Sequence, residues 1–427
     1  MHNARISLVA LLLLVLPVPA RAQESLLDGF KTQAKAQPND PAAALALGRA
    51  YRRAGRTQKA LGELRRGVNL ARGSALDVLH WEIARTHIAQ SEFGLAMVQC
   101  RVVGALPGGT AAGHACAAEA HLLWKRASEA LVETGLALAN GSKSYEAKVA
   151  EGTARELEVK LKEAETSYRE AIAYKPDQPD AHVALGRLLV RQSGSGGAGL
   201  RELRDAARLD PTNPEAAYEL GAALGANPEA VALLARATKE RTSYAAAERK
   251  LAEFELALGH VPEAEAAARA ALKSDPRDAW THVLHGRILL TQNKPDEAIR
   301  AAESALKVLA NSAAAKLLLG DAYTKKGEID LAAEAYQSAH GLDSTDPTPL
   351  IRAAEACRAA GRFTSARAFG MKATIDFPTW GPAWVAYGDA LVADGERENA
   401  KKAYETALRS KGPVDAASVT RKISAIR

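Results

Sequence analysis

The sequence has few cysteines and few aromatic residues. Only three of its 427 residues are cysteine, and aromatic residues make up 5%. Cys100, Cys116 and Cys357 are too few and too widely spaced for a metal site built from close cysteine pairs. In an oxidising compartment Cys100 and Cys116 could form a disulfide. The alternative is that all three thiols are buried as small apolar groups.

The chain also lacks the motifs that mark common catalytic sites. It contains no HExxH zinc motif and no Gly-x-Ser-x-Gly nucleophile turn. His282 and His285 are one helical turn apart, but the repeat register described below assigns both to packing positions. The glycine-rich run at 193–199 is followed by Leu200-Arg201, where a phosphate-binding loop has Lys and Ser/Thr, so it is predicted to be a turn. We expect no enzymatic activity, no cofactor and no metal ion.

One long apolar run is present, and it lies at the N-terminus. Residues 6–18 (ISLVALLLLVLPV) precede the small-residue segment Ala20–Ala22, an arrangement typical of a secretory signal peptide. The run is shorter than the roughly 20 apolar residues that span a bilayer. We predict a signal peptide at 1–22, cleaved before Gln23, and a mature chain in the periplasm, the cell envelope or the extracellular space. The alternative is an uncleaved membrane anchor.

The net charge helps to predict whether the partner is a nucleic acid or a protein. The formal charge of +6 becomes +4 when Arg5 and Arg21 of the predicted signal peptide are subtracted. Nucleic-acid binding calls for clustered Lys and Arg on a matching fold, and an exported protein rarely meets nucleic acid, so this small basic excess argues against a nucleic-acid partner. We expect a protein partner and no stable membrane span after signal cleavage.

A small residue, usually Gly, recurs after an apolar residue and three positions before a large one. An alanine follows the small residue after twelve positions, as in Gly48 and Ala60. The spacing between successive copies is 31 to 36 residues and most often 34. Aligned on these marks, the copies begin at Pro41, Asp77, Ala111, Tyr145, Pro179, Pro214, Ala245, Ala279, Ala313, Pro347 and Gly381. This regularity indicates an internal repeat.

The pattern resembles the tetratricopeptide repeat family, W-x2-L-G-x2-Y followed by A-x3-F over 34 residues. The best copy is the last, Trp384-x2-Tyr387-Gly388-x2-Leu391 and then Ala400-x3-Tyr404-x2-Ala407. The resemblance implies an all-α, right-handed superhelical solenoid of about eleven helix-turn-helix repeats at 41–412. Irregular repeats are expected near 104–113, 193–199 and 225–244.

The periodicity of the apolar residues supports this interpretation. Within each copy they recur at steps of three and four, which predicts two amphipathic helices. One such pair cannot bury its apolar faces alone, whereas stacked pairs share a continuous core. Residues 23–40 and 413–427 are each predicted to form a capping helix that covers one end of the array.

The resemblance also implies which side chains face an inner, concave groove on the first helix of each repeat. The predicted groove residues are Leu45, Arg49, Arg52, Arg53, Trp81, Arg85, Arg187, Arg191 and Arg287, with Asp321, Glu355 and Asp389 nearer the C-terminus. The arginines around Leu45 and Trp81 predict a site for an acidic partner segment. The alternative is that these charges only keep helix surfaces soluble.

Together these features predict a non-catalytic scaffold of the periplasm or cell envelope that binds a partner protein or peptide in its groove. Two alternatives remain. One is a regulatory subunit of an envelope enzyme. The other is an assembly factor or co-chaperone for outer-membrane or secretion machinery.

Overall fold

A computed structural model of the chain describes residues 20–73, 75–139, 142–193 and 197–426. Within these ranges the chain forms 24 helices and no β-strand, so the prediction of an all-α fold built from helix pairs is confirmed. Residues 1–19 of the predicted signal peptide lie outside the described residues. No helix in the described part is both long enough and apolar enough to cross a membrane.

Eleven helix pairs lie between a first and a last single helix, α1 (Ala20–Ala36) and α24 (Ala416–Ala425). The first helices of the pairs are α2 (Pro41–Arg53), α4 (Ala75–Ala89), α6 (Thr110–Leu123), α8 (Tyr145–Leu157), α10 (Pro179–Ser193), α12 (Pro214–Leu224), α14 (Ala245–Ala257), α16 (Ala279–Thr291), α18 (Ala313–Lys326), α20 (Thr348–Ala359) and α22 (Gly381–Ala393). Each begins within two residues of a predicted repeat start.

Apart from α13, the second helices pack against the first helices of their own pairs. They are α3 (Thr57–Leu70), α5 (Phe93–Ala105), α7 (Ala127–Ala137), α9 (Leu161–Tyr174), α11 (Gly197–Leu209), α13 (Pro228–Glu240), α15 (Val261–Ser274), α17 (Pro295–Val308), α19 (Ile329–Leu342), α21 (Phe363–Asp376) and α23 (Arg397–Arg409).

Local side-chain chemistry sets where helices start and stop. Asp40 precedes α2 and accepts a hydrogen bond from the Ala42 N–H at 2.9 Å, and Ser312 accepts one from the Ala315 N–H at 3.2 Å before α18. Both satisfy backbone donors that the first helical turn leaves free. Gly327 ends α18 with φ at 79°, a left-handed conformation that favours glycine.

Close packing inside a pair depends on a glycine that faces a buried tyrosine. A Cβ at Gly152 would lie 2.5 Å from the Tyr168 ring, and one at Gly388 would lie 2.6 Å from the Tyr404 ring. Both rings are almost fully buried. The recurring small residue therefore leaves room for a large side chain of the second helix, which is tyrosine in these pairs and leucine beside Gly48 and Gly186.

The described helices divide into two compact units. Unit 1 comprises the described residues of Met1–Ala223 together with Lys239–Thr242, and unit 2 comprises Leu224–Thr238 and the described residues of Ser243–Arg427. Buried leucines such as Leu61 and Leu64 form a cluster in unit 1, and Leu318 and Leu319 do so in unit 2. Each unit therefore has its own apolar core.

Unit 1 also contains a contact between residues that are far apart in the sequence. Arg53, at the end of α2, forms an ion pair with Asp210. Just beyond it, the Ala54 carbonyl accepts hydrogen bonds from the Thr242 hydroxyl at 2.9 Å and from the Thr242 N–H at 3.3 Å. We call these four residues the long-range contact of unit 1.

Candidate partner-binding surfaces

The predicted arginine cluster lies in unit 1, and three of its members surround one carboxylate. Arg49 Nε lies 2.9 Å from Glu82 Oε1, and Arg52 Nε lies 3.1 Å from Glu82 Oε2. Arg85 Nη1 is 3.5 Å from Oε1 of the same carboxylate. Burial opposes ionisation of Glu82, but the three guanidiniums outweigh it and lower the pKa of Glu82 to about 2. These arginines neutralise a buried carboxylate of the chain itself.

The predicted aromatic side chain of this site has an internal partner as well. Trp81 Nε1 donates to Glu119 Oε2 at 3.0 Å. Arg85 binds both oxygens of Glu119, with distances of 2.9 and 2.6 Å, and its guanidinium lies 5.7 Å from the centre of the Trp81 ring. The expected pairing of arginine with tryptophan is present, but a glutamate of the next repeat occupies its polar groups.

The other predicted groove residues of the first repeat also contact residues of the chain itself. Arg53 is paired with Asp210 in the long-range contact. Leu45 is partly buried and packs against the cluster that contains Leu61 and Leu64. Its role in the described structure is therefore core packing.

Further along unit 1, Arg187 and Arg191 share one carboxylate. Arg191 Nη2 lies 2.8 Å from Glu156 Oε2, and Arg187 Nη2 lies 3.5 Å from Glu156 Oε1. The Tyr168 hydroxyl donates to Glu156 Oε1 at 2.6 Å. The tyrosine that fills the space beside a glycine thus also holds a carboxylate of the first-helix face.

The same link of tyrosine, carboxylate and cation recurs in unit 2. The Tyr336 hydroxyl and Arg352 Nη1 each lie 2.9 Å from Asp321 Oδ1. A third link of this kind joins Tyr404, Asp389 and Lys422. The sequence predicted neither these polar links nor the glutamates that neutralise the arginines of unit 1.

Unit 2 has two neighbouring cavities on its first-helix face. One has a volume of about 580 Å³, the other about 730 Å³. Arg287, Asp321 and Arg352 line both, so the two cavities form one continuous groove along α14, α16, α18 and α20. We call this surface the unit 2 groove.

Trp280 stands at one end of the unit 2 groove and is 62% exposed. Its position is set by Asp278, which caps α16 by accepting from the Trp280 N–H at 3.1 Å. Burial opposes ionisation of Asp278, but hydrogen bonds from Thr281 and Arg249 outweigh it and lower the pKa of Asp278. A charged cap therefore holds the helix that presents an exposed tryptophan.

Arg287 differs from the arginines of unit 1. It is exposed and lines both cavities. It forms no ion pair or hydrogen bond with any side chain in the described part of the chain. Of the nine predicted groove residues, Arg287 alone presents its charged group to solvent without an internal carboxylate among the described residues.

Charge around the unit 2 groove is predominantly positive. Asp321 and Glu355, which were predicted to face the groove, are outnumbered by basic side chains. The cationic residues are Arg249, Lys250, Arg287, Lys325, Arg352 and Arg358, and the anionic ones are Glu253, Asp321 and Glu355.

Comparison with known families identifies the repeats. Sequence models of the tetratricopeptide repeat match residues 19–75, 160–214, 283–347 and 381–412. These four segments are similar to tetratricopeptide repeats. The matched segment at 283–347 includes Arg287 and Asp321, so the centre of the unit 2 groove is built on these repeats. Tetratricopeptide-repeat proteins bind protein partners and are generally non-catalytic.

Several solved structures resemble the chain, although no curated protein matches its sequence. Yeast Tom70 is 12% identical with a TM-score of 0.45, and the match covers 95% of this chain and 92% of Tom70. A tetratricopeptide repeat protein from Parabacteroides merdae is 16% identical with a TM-score of 0.42, covering 66% and 98%. MamA is 22% identical with a TM-score of 0.34, covering 39% and 90%.

The cysteines and the two neighbouring histidines make contacts within the protein. Cys100 and Cys116 form a disulfide between α5 and α6, with Cα atoms 5.3 Å apart, while Cys357 is a buried free thiol. His282 Nε2 lies 3.0 Å from the Pro276 carbonyl oxygen. Burial lowers the pKa of His285. Across the described ranges, no three His, Cys, Asp or Glu side chains are placed to share a metal ion.

Proposed function

We propose that the chain is a non-catalytic scaffold of the periplasm or cell envelope that binds a partner protein or peptide on the unit 2 groove. The observation that supports this most directly is an exposed Trp280 beside an Arg287 that has no internal partner in the described structure. Tryptophan and arginine are the residue types that most often dominate binding energy at protein interfaces. Leu284 and Leu317 line the same cavity as Trp280 and add apolar surface that a partner could bury.

Site-specific photocrosslinking in the native host tests this role. A photoreactive amino acid would replace Leu317, which lines the groove. The matched control replaces Leu331, an exposed leucine on the second helix α19. We expect a protein crosslinked from position 317 and not from position 331, identified by mass spectrometry. Equal crosslinking from both positions, or none from position 317, would contradict the proposal.

The identity of the crosslinked protein separates the roles that the sequence left open. An envelope enzyme would favour a regulatory subunit, and an outer-membrane barrel or secretin would favour an assembly factor. In both cases the chain contributes binding and the partner contributes the activity.

The proposed location rests on the N-terminal apolar run at 6–18. Cell fractionation and N-terminal sequencing test it. We expect a mature N-terminus at or near Gln23 outside the cytoplasm. A soluble cytoplasmic pool that retains Met1 would reject export.

A further inference from the structure

The charge of the unit 2 groove indicates what kind of segment fits it. Six cationic and three anionic side chains line the two cavities. Three of the cations are already paired: Arg352 with Asp321, Lys250 with Glu253 and Arg249 with Asp278. The excess of positive charge is therefore carried by the remaining cations, with Arg287 between the two cavities. A partner with carboxylates would complete these interactions, whereas a basic partner would be repelled.

The apolar part of the groove indicates a second feature of the partner. Trp280 is exposed and lines the same cavity as Val283, Leu284 and Leu317. An exposed ring in a cavity with apolar walls can bury a large apolar side chain, and this contact would set how long the complex lasts. The apolar and cationic parts are arranged along the groove, with Trp280 in the first cavity and Arg358 in the second.

The length of the groove sets the length of the segment. It is formed by four successive first helices, α14, α16, α18 and α20, which contact one another in sequence. Packed helices lie about 8–10 Å apart, so three such steps span roughly 25–30 Å. An extended chain advances about 3.3 Å per residue. The groove therefore accommodates an extended segment of about eight to nine residues.

We infer that the unit 2 groove binds an extended acidic segment of a partner protein, with one large apolar side chain against Trp280 and carboxylates toward Arg287 and the second cavity. This inference rests on the proposed scaffold function and adds the chemistry of the ligand. It differs from the prediction made from the sequence, which assigned the acidic segment to the arginines of the first two repeats.

Peptide binding to the full mature chain tests the inference. The probe is a fluorescent ten-residue peptide with five glutamates and one phenylalanine near one end, and the matched peptide has glutamine in place of each glutamate. We expect fluorescence anisotropy at low salt to show at least tenfold tighter binding of the glutamate peptide. Salt should weaken that binding, because mobile ions screen exposed charges. Equal affinity for the two peptides, or no binding of the glutamate peptide, would overturn the inference.

Substitutions locate the site. Arg287→Glu and Trp280→Ala should each reduce affinity for the glutamate peptide at least tenfold. Both side chains are exposed, so helical content measured by circular dichroism should not change. Arg300→Glu, on the exposed side of the second helix α17, is the matched control and should bind as the wild type does. A loss in Arg300→Glu equal to that in Arg287→Glu would overturn the assignment.

The crosslinking experiment separates this inference from the scaffold function. If a partner crosslinks at position 317 and its capture survives both Arg287→Glu and high salt, the scaffold function stands and the acidic-segment inference fails. If Arg287→Glu abolishes capture while Arg300→Glu does not, both are supported.

Discussion

Unit 1 and unit 2 carry arginine at the same repeat position with different surroundings. Arg49, Arg85 and Arg287 each occupy the ninth position of a repeat. In unit 1 the following repeat supplies an acid at its sixth position, Glu82, which binds Arg49. In unit 2 the sixth position of the repeat after Arg287 is Leu318, which is buried in the core.

This difference shows that the residue at one position of the neighbouring repeat affects whether an arginine is paired with a buried carboxylate. A carboxylate buried between repeats needs cations around it, because an unpaired buried charge is strongly destabilising. The arginines of unit 1 are therefore held by the fold. After Arg287 the sixth position is Leu318, and Asp321, at the ninth position of the same repeat, is paired with Arg352. Arg287 is therefore left without an internal carboxylate in the described structure.

Among the substitutions that test this difference between the units, we expect Glu82→Gln to have the largest effect on stability. The change leaves Arg49, Arg52 and Arg85 close together without their shared carboxylate, and we expect the free energy of unfolding to fall by about 3 kcal/mol or more. Urea denaturation followed by circular dichroism, with hydrogen exchange of α2 and α4, measures it. The control is Glu253→Gln in unit 2, which removes an exposed pair with Lys250 and should cost under about 1 kcal/mol.

The pH dependence gives an independent check of the same carboxylate. The pKa of Glu82 is about 2 in the folded state, against 4.5 without the surrounding fold. A lowered folded-state pKa stabilises the protein above the higher value, and that stability is lost as the pH falls from 4.5 toward 2. The difference between wild type and Glu82→Gln should therefore shrink over this range. A difference that stays constant would show that Glu82 does not act through its charge.

The two units should also differ in how their stability responds to a reductant. The Cys100–Cys116 disulfide in unit 1 has a sequence separation of 16 residues, and unit 2 has only the free Cys357. For a loop of that length the chain-entropy model gives about 3 kcal/mol of stabilisation. Reductant should therefore raise hydrogen exchange in α5 and α6 and leave unit 2 unchanged. Peptide mapping that finds both thiols free in protein from the native compartment would contradict the bridge.

Much of the fold could be predicted from the sequence because the residues that define each helix pair are close together in the chain. The glycine of each clear repeat and the tyrosine that packs on it are a fixed distance apart, so Gly320 and Tyr336 indicate both a helix pair and its packing. The disulfide was one of two open alternatives, since the spacing of Cys100 and Cys116 permitted a bridge without requiring it.

The candidate site was harder to predict because it depends on which repeats face each other. The repeat register assigned Arg49 and Arg85 to the first-helix face, but it does not give the partner of each side chain. Glu82 and Glu119 could have been found by asking which acids in the next repeat lie within reach of a ninth-position arginine. The contact of Arg53 with Asp210 could not, because 157 residues separate them.

Packing inside the pairs should be alike in the two units, and glycine substitutions test this. Gly152→Ala in unit 1 and Gly320→Ala in unit 2 would each force a methyl group into a tyrosine ring. We expect each to lower the free energy of unfolding by about 2 kcal/mol, as overpacking of a core does. Gly341→Ala is the control. It lies within α19 with no atom near its Cβ position, so the substitution should be neutral or stabilising.

The smallest expected effect concerns the long-range contact, which holds the end of α2 against Asp210 and Thr242 in unit 1. Arg53→Met keeps most of the apolar stem and removes the ion pair with Asp210, which retains hydrogen bonds from the Thr212 N–H and hydroxyl. Because the pair is partly exposed, we expect a loss of about 1 kcal/mol. Hydrogen exchange should increase at residues 52–56 and 210–213. Arg56→Met, which removes an exposed arginine nearby, should leave exchange at 210–213 unchanged, and an equal increase in both variants would show that the Asp210 pair does not hold the contact.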